Sequence, residues 1–209
     1  MCRSVLVRIP DSVQSAVVTD PAPTQTLSGD DRTALLQVAA DSIAHGLRCG
    51  RPLPVDVEAF AVALRPRRGT FVTLEIDHNL RGCIGVLEAV RPMVQDVSEN
   101  AFAAAFQDPR FPPVTIAEQA QLDMHISILG PAEPMQFESQ ADLLQQIRPG
   151  IDGLILQEGR YRGTFLPSVW ESLPDAPSFL THLKGKAGLP ADYWSETIRV
   201  SRYTTESIP

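Results

Sequence analysis

Two alternating runs separated by a short polar break constrain the fold most. From Phe71 to Asp77, Val72, Leu74 and Ile76 are apolar while Thr73, Glu75 and Asp77 are polar. From Leu80 to Val86, Leu80, Gly82, Ile84 and Val86 alternate with Arg81, Cys83 and Gly85. A period of two is that of a half-buried strand, and Asp77-His78-Asn79 between the runs reads as a turn, so the segment is a β-hairpin. One slip of register would mix the faces, which demands an odd loop. A three-residue loop pairs Ile76 with Leu80, Leu74 with Gly82 and Val72 with Ile84. It sets Thr73 opposite Cys83 and Glu75 opposite Arg81, where a cross-strand ion pair is expected.

Chemistry concentrates on the second strand. Residues two apart on a strand share a face, so Arg81 and Cys83 should be neighbours, and a nearby cation favours the reactive thiolate. An Arg81 neutralised by Glu75 would activate the thiol little. Gly82 and Gly85 suit close approach of another backbone or of a ligand.

The remaining elements assemble around this hairpin. Ser28 and Asp31 resemble a capping arrangement for a helix whose apolar stripe runs through Leu35, Leu36, Val38, Ala39, Ile43 and Leu47 until Gly50. A second helix is expected from Pro92 to Phe106, followed by a loop, Asp108-Pro109-Arg110-Phe111-Pro112-Pro113, which its prolines stiffen. Gln121 to Leu129 alternates again, with Leu122, Met124, Ile126 and Ile128 on one face and Asp123, His125 and Ser127 on the other. Beyond it a helix near Ala141 to Ile147 precedes a second hairpin, Gly153 to Gln157 and Tyr161 to Leu166 around Glu158-Gly159-Arg160. Helical segments through Val169 to Leu173 and Ser178 to Lys186 and a strand near Thr197 to Tyr203 complete the chain. Hairpins outnumber parallel crossovers, so the expected class is α+β, a mainly antiparallel sheet packed by helices, in two intimately associated sub-domains. Residues 1–27, with Pro10, Pro21 and Pro23 and one short candidate strand at Val5 to Ile9, read as a flexible N-terminal extension. Residues 28–209 read as a single domain built of the two sub-domains.

The 209 residues, 44% hydrophobic, suffice for a proper core, and their formal charge of −7 opposes association with nucleic-acid phosphates. The cluster Arg65-Pro66-Arg67-Arg68 reads as a solvated loop. No run is long and apolar enough for a membrane span, and the N-terminus lacks the layout of a secretory signal. No membrane association is expected, and the expected compartment is the cytoplasm. Cys2, Cys49 and Cys83 have no disulfide or zinc spacing and read as reduced thiols. No spacing announces a metal site, and neither a metal nor another cofactor is expected.

Phe71-Val72-Thr73-Leu74, Leu80-Arg81-Gly82-Cys83-Ile84-Gly85, Asp108-Pro109-Arg110-Phe111 and Ile126-Ser127-Ile128-Leu129 together resemble the AMMECR family, whose bacterial and archaeal members are also called AmmeMemoRadiSam system protein A. The likeness continues through Gly153-Leu154, Phe165-Leu166-Pro167-Ser168-Val169, Phe179-Leu180 and Lys186-Ala187-Gly188-Leu189, from about Leu27 to the C-terminus. Val86 departs from it, since a threonine commonly follows the second glycine, and so does the proline-bearing N-terminal extension. The resemblance implies a compact α+β fold in two sub-domains, a functional cleft at the hexapeptide, and an association with a Memo-like protein and a radical S-adenosylmethionine enzyme. It supplies no reaction.

Two functions stay open on these residues. In the first, the chain binds or modifies a small molecule or a modified side chain: Arg81 holds an anionic group, Cys83 is nucleophile or acid/base, and His125 is the base, oriented by Asp123. In the second, the chain is a noncatalytic adaptor, docking through the glycine-bearing strand and the loop that carries Asp108 and Arg110. For each residue a structural role competes: a packed thiol, a surface histidine, an aspartate that ends the helix and pairs with Arg110. His45, His78 and His182 read as surface residues.

Overall fold

A computed structural model describes residues 27 to 209 and, at Leu6 and Val7, the backbone alone. Apart from Leu27 and that two-residue stretch, the expected extension lies outside the described residues. The chain divides into two compact units, one of Val5–Leu129 with Glu206–Pro209, the other formed chiefly by Gly130–Thr205.

In the first unit, α1 (Gly29–Cys49) begins with a reciprocal capping box, the Asp31 N–H donating to the Ser28 hydroxyl and the Ser28 N–H to the Asp31 carboxylate. It ends on Gly50, whose φ of 67° is left-handed. β2 (Thr70–Ile76) and β3 (Asn79–Gly85) form the expected hairpin, and α2 (Met93–Phe106), α3 (Ile116–Gln119) and β4 (Asp123–Leu129) follow. With β1 (Leu6–Val7) and the C-terminal β9 (Thr205–Ile208), the sheet order is β1-β3-β2-β4-β9. β2 pairs antiparallel with both β3 and β4, whereas β1 pairs parallel with β3. Val72, Leu74, Ile84, Ile126 and Ile128 share one buried core with Leu35, Val38 and Ile43 of α1 and Val94, Val97 and Ala101 of α2. At Gly46 of α1 a Cβ would stand 2.4 Å from the Phe106 ring, so this glycine admits the aromatic side of α2.

The hairpin reaches its register by a different route from the expected one. The turn has two residues, Asp77 and His78, with φ of 50° and 60°, the left-handed pair of a type I′ connection. Ile76 therefore pairs with Asn79 and Glu75 with Leu80, and a bulge makes Arg81 the extra residue. Past the bulge the expected pairs hold: Leu74 with Gly82, Thr73 with Cys83, Val72 with Ile84. One extra strand residue supplies the odd count expected of the loop, because the right-handed twist of paired strands favours a primed two-residue turn.

The second unit contains β5 (Glu133–Pro134), α4 (Gln140–Gln146), β6 (Gly153–Glu158), β7 (Tyr161–Phe165), α5 (Ala176–Ala187) and β8 (Arg199–Tyr203). Its sheet runs β5-β8-β6-β7, all pairs antiparallel, over a separate core of Leu143, Leu154, Leu156, Trp170, Phe179 and Leu183. The class is α+β with predominantly antiparallel sheets. No described helix is long and apolar enough to cross a membrane.

Candidate functional site

β3 places Cys83 on the sheet face opposite the helical core, beside Thr73 of β2. The Thr73 hydroxyl donates to Sγ at 3.2 Å, and only 4% of the cysteine is exposed. The open crevice expected around this thiol is therefore corrected to a buried position.

The backbone of Cys83 faces away from β2 and is met there by side chains rather than by a strand. Its N–H donates to Oδ2 of Asp108 at 2.9 Å, and its carbonyl accepts from Nη2 of Arg110 at 3.3 Å. Arg110 also donates to Asp108 through its backbone N–H, through Nε at 2.9 Å and through Nη2 at 2.6 Å. β1 covers this side of β3 at Ile84 and Gly85, and at Cys83 an ion pair supplies the donor and the acceptor instead. The structure thus gives Asp108 and Arg110 an anchoring role that ties the proline-bearing loop to the cysteine strand. Burial opposes ionisation of Asp108, but hydrogen bonds from Arg110 and from the Cys83 N–H outweigh it and hold the carboxyl below its usual range.

Arg81 points elsewhere than expected. The bulge re-aims it to Glu118 of α3, where Nε and Nη2 donate to the two carboxylate oxygens at 2.8 and 3.3 Å. Glu118 also accepts from the N–H and hydroxyl of Thr115 as the helix cap. Led by Arg81, these bonds bring its pKa to about 2. The predicted Glu75–Arg81 pair is not formed, because the extra residue takes Arg81 out of register with Glu75, which lies instead 3.9 Å from Nε2 of His125.

His125 sits across Thr73 from Cys83 on the same sheet face, two strand spacings or about 10 Å from it. That exceeds the reach of a direct proton transfer, and 46% of the imidazole is exposed. The thiol and imidazole pair with Asp123 as orienter is not assembled. Gly82 and Gly85 are required by packing: a Cβ at Gly82 would lie 2.2 Å from the Ala104 carbonyl oxygen of α2, and one at Gly85 would lie 2.2 Å from the Phe71 ring. Among the described residues, no three His, Cys, Asp or Glu side chains converge as metal ligands.

The guanidinium of Arg81 and that of Arg110 each hold a carboxylate, Glu118 and Asp108 respectively.

Two features escaped sequence reasoning. Glu118 was legible as a helix cap from Thr115-x-x-Glu118, but its partnership with Arg81 depends on the bulge. The second is a buried polar knot in which Oδ2 of Asp96 accepts from the Thr70 N–H, the Thr70 hydroxyl and the Asn100 amide, while Oδ1 accepts from Arg91. Its signal was a polar pair, Asp96 and Asn100, four apart on the otherwise apolar stripe of α2. Burial raises the Asp96 pKa against these bonds.

Fold and site define an α+β protein whose cysteine strand is held at Cys83 by an Asp-Pro-Arg latch. The AMMECR1 family model matches residues 36–208, and the chain belongs to that family. A protein of Methanothermobacter thermautotrophicus is 42% identical over 186 residues, covering 86% of this chain and 94% of that one. A Thermotoga maritima protein is 36% identical over 78% of this chain and 90% of its own length. The crystal structure of the uncharacterized protein PH0010 from Pyrococcus horikoshii superposes with a TM-score of 0.76 at 33% identity, covering 83% of this chain and 88% of that one.

Proposed function

We propose that the chain is a noncatalytic adaptor of an AmmeMemoRadiSam-type system, docking to its Memo-like protein and its radical S-adenosylmethionine enzyme. The burial of Cys83 carries this reading, since a nucleophile needs access to substrate and a base within hydrogen-bond reach, and His125 stands two strands away. The latch and the Arg81–Glu118 pair both brace the loop between them, which exposes Pro109, Pro112, Pro113 and Ile116, the last at 77%. Bracing lowers the ordering cost of association, the property an adaptor surface needs.

The test is calorimetric titration of the whole chain against each of the two partner proteins from the same organism. Cys83→Ala should bind as the wild type does, and Ile116→Asp should bind at least tenfold more weakly. An effect of Cys83→Ala on turnover by the assembled system, with binding and fold unchanged, would refute the adaptor reading.

A further inference from the structure

Beyond the adaptor surface, we infer that the outer edge of β3 is a strand-addition site, and that the chain's own segment Val5–Ile9 is its occupant. The site is the backbone of Gly85, beside the latch.

Successive residues of a strand turn their N–H and C=O groups to opposite sides. The Val86 N–H donates to the Thr70 carbonyl at 3.0 Å, so Val86 and Ile84 face β2, while Cys83 and Gly85 turn theirs outward. The latch takes both groups of Cys83. Those of Gly85 are left to β1, which pairs parallel with Leu6 opposite Ile84 and Val7 opposite Gly85. Side chains thus close one stretch of the edge and a strand closes the next.

The sequence around β1 fits that place. Val5, Val7 and Ile9 alternate with Leu6 and Arg8, three of the five are β-branched, and Pro10, which has no N–H to give a ladder, follows. Parallel pairing demands a long connection, and residues 8–26 supply it before the chain enters the core at Leu27, which is 4% exposed. Two residues in register make a contact that an identical strand can replace, because the tether gives the chain's own copy an effective concentration of only about 1 mM. The edge therefore admits an extended, proline-free apolar segment, and the tethered copy holds the place against others.

Hydrogen exchange of single amides, followed by NMR on the full chain, tests this. In Leu6→Pro/Val7→Pro the Gly85 amide should exchange at least about tenfold faster than in the wild type, while the Ile84 and Val86 amides, turned to β2, keep their rates. A synthetic peptide of residues 1–12, added to that variant at about 2 mM, should slow Gly85 again at least about threefold, and the same peptide with both prolines should not. A Gly85 rate equal in variant and wild type, or equal acceleration of all three amides, would overturn the inference, as would a peptide without effect on the variant. None of these outcomes bears on binding of the two partner proteins, so the adaptor reading stands or falls separately.

Discussion

Replacing Asp108 by alanine removes the acceptor for the buried Cys83 N–H and the carboxylate bound to Arg110, in a pair whose side chains are 1% and 15% exposed. Stranding a buried N–H costs about 1–3 kcal/mol, and removing one member of a buried ion pair costs about 3–5 kcal/mol. These effects overlap, because the same carboxylate serves both donors, so a loss of about 4 kcal/mol is expected. At a urea dependence of about 2 kcal/mol per molar, the midpoint for the unit carrying the hairpin falls by about 2 M. Arg110→Ala and the double variant complete a cycle. Deleting both partners should cost at least about 1 kcal/mol less than the sum of the single losses, since no charge is then left facing its missing counterpart. Equilibrium urea unfolding, followed by circular dichroism, measures all four proteins. A loss below about 1 kcal/mol for Asp108→Ala, or strict additivity in the cycle, would refute the edge-latch argument.

Gly82→Ala should destabilise by about 2 kcal/mol or more, because its Cβ would lie 2.2 Å from a backbone oxygen of α2 that no rotamer change can move. An unchanged melting temperature would contradict that packing. Glu118 gives an acid limb of known sign: its folded pKa of about 2 lies below the ordinary 4.5, so its contribution is complete above pH 4.5 and is lost as pH falls through about 2. Partial exposure screens the pair, so Glu118→Gln should be about 1 kcal/mol less stable at pH 7, with a shallower loss between pH 4.5 and 2. Parallel stability curves for the two proteins would exclude this linkage.

The alternation of β2, β3 and β4 was legible because a half-buried strand writes its period directly into the apolar pattern, and the Thr73–Cys83 pairing followed from it. The Arg81 bulge was not, since one residue inserted near the turn shifts the expected partners without changing the pattern beyond it. That single insertion exchanged Glu75 for Glu118 as the partner of Arg81, a contact between residues 37 positions apart. The edge latch was half visible: the prolines announced a stiff loop and the Asp108–Arg110 pair was anticipated, but a side-chain pair standing in for a strand leaves no periodic trace. The exposure of Cys83 was misjudged for a related reason, because alternation tells which face a side chain occupies and not what covers that face.

Alkylation of the native protein, with the modified cysteines mapped by mass spectrometry, tests the structural role of Cys83 most directly, as Cys49 on the same chain is exposed and serves as the internal reference. The account predicts that Cys49 is modified quickly and Cys83 at least a hundredfold more slowly, becoming reactive only on unfolding. Modification of Cys83 at the rate of Cys49 in the folded wild type would contradict it.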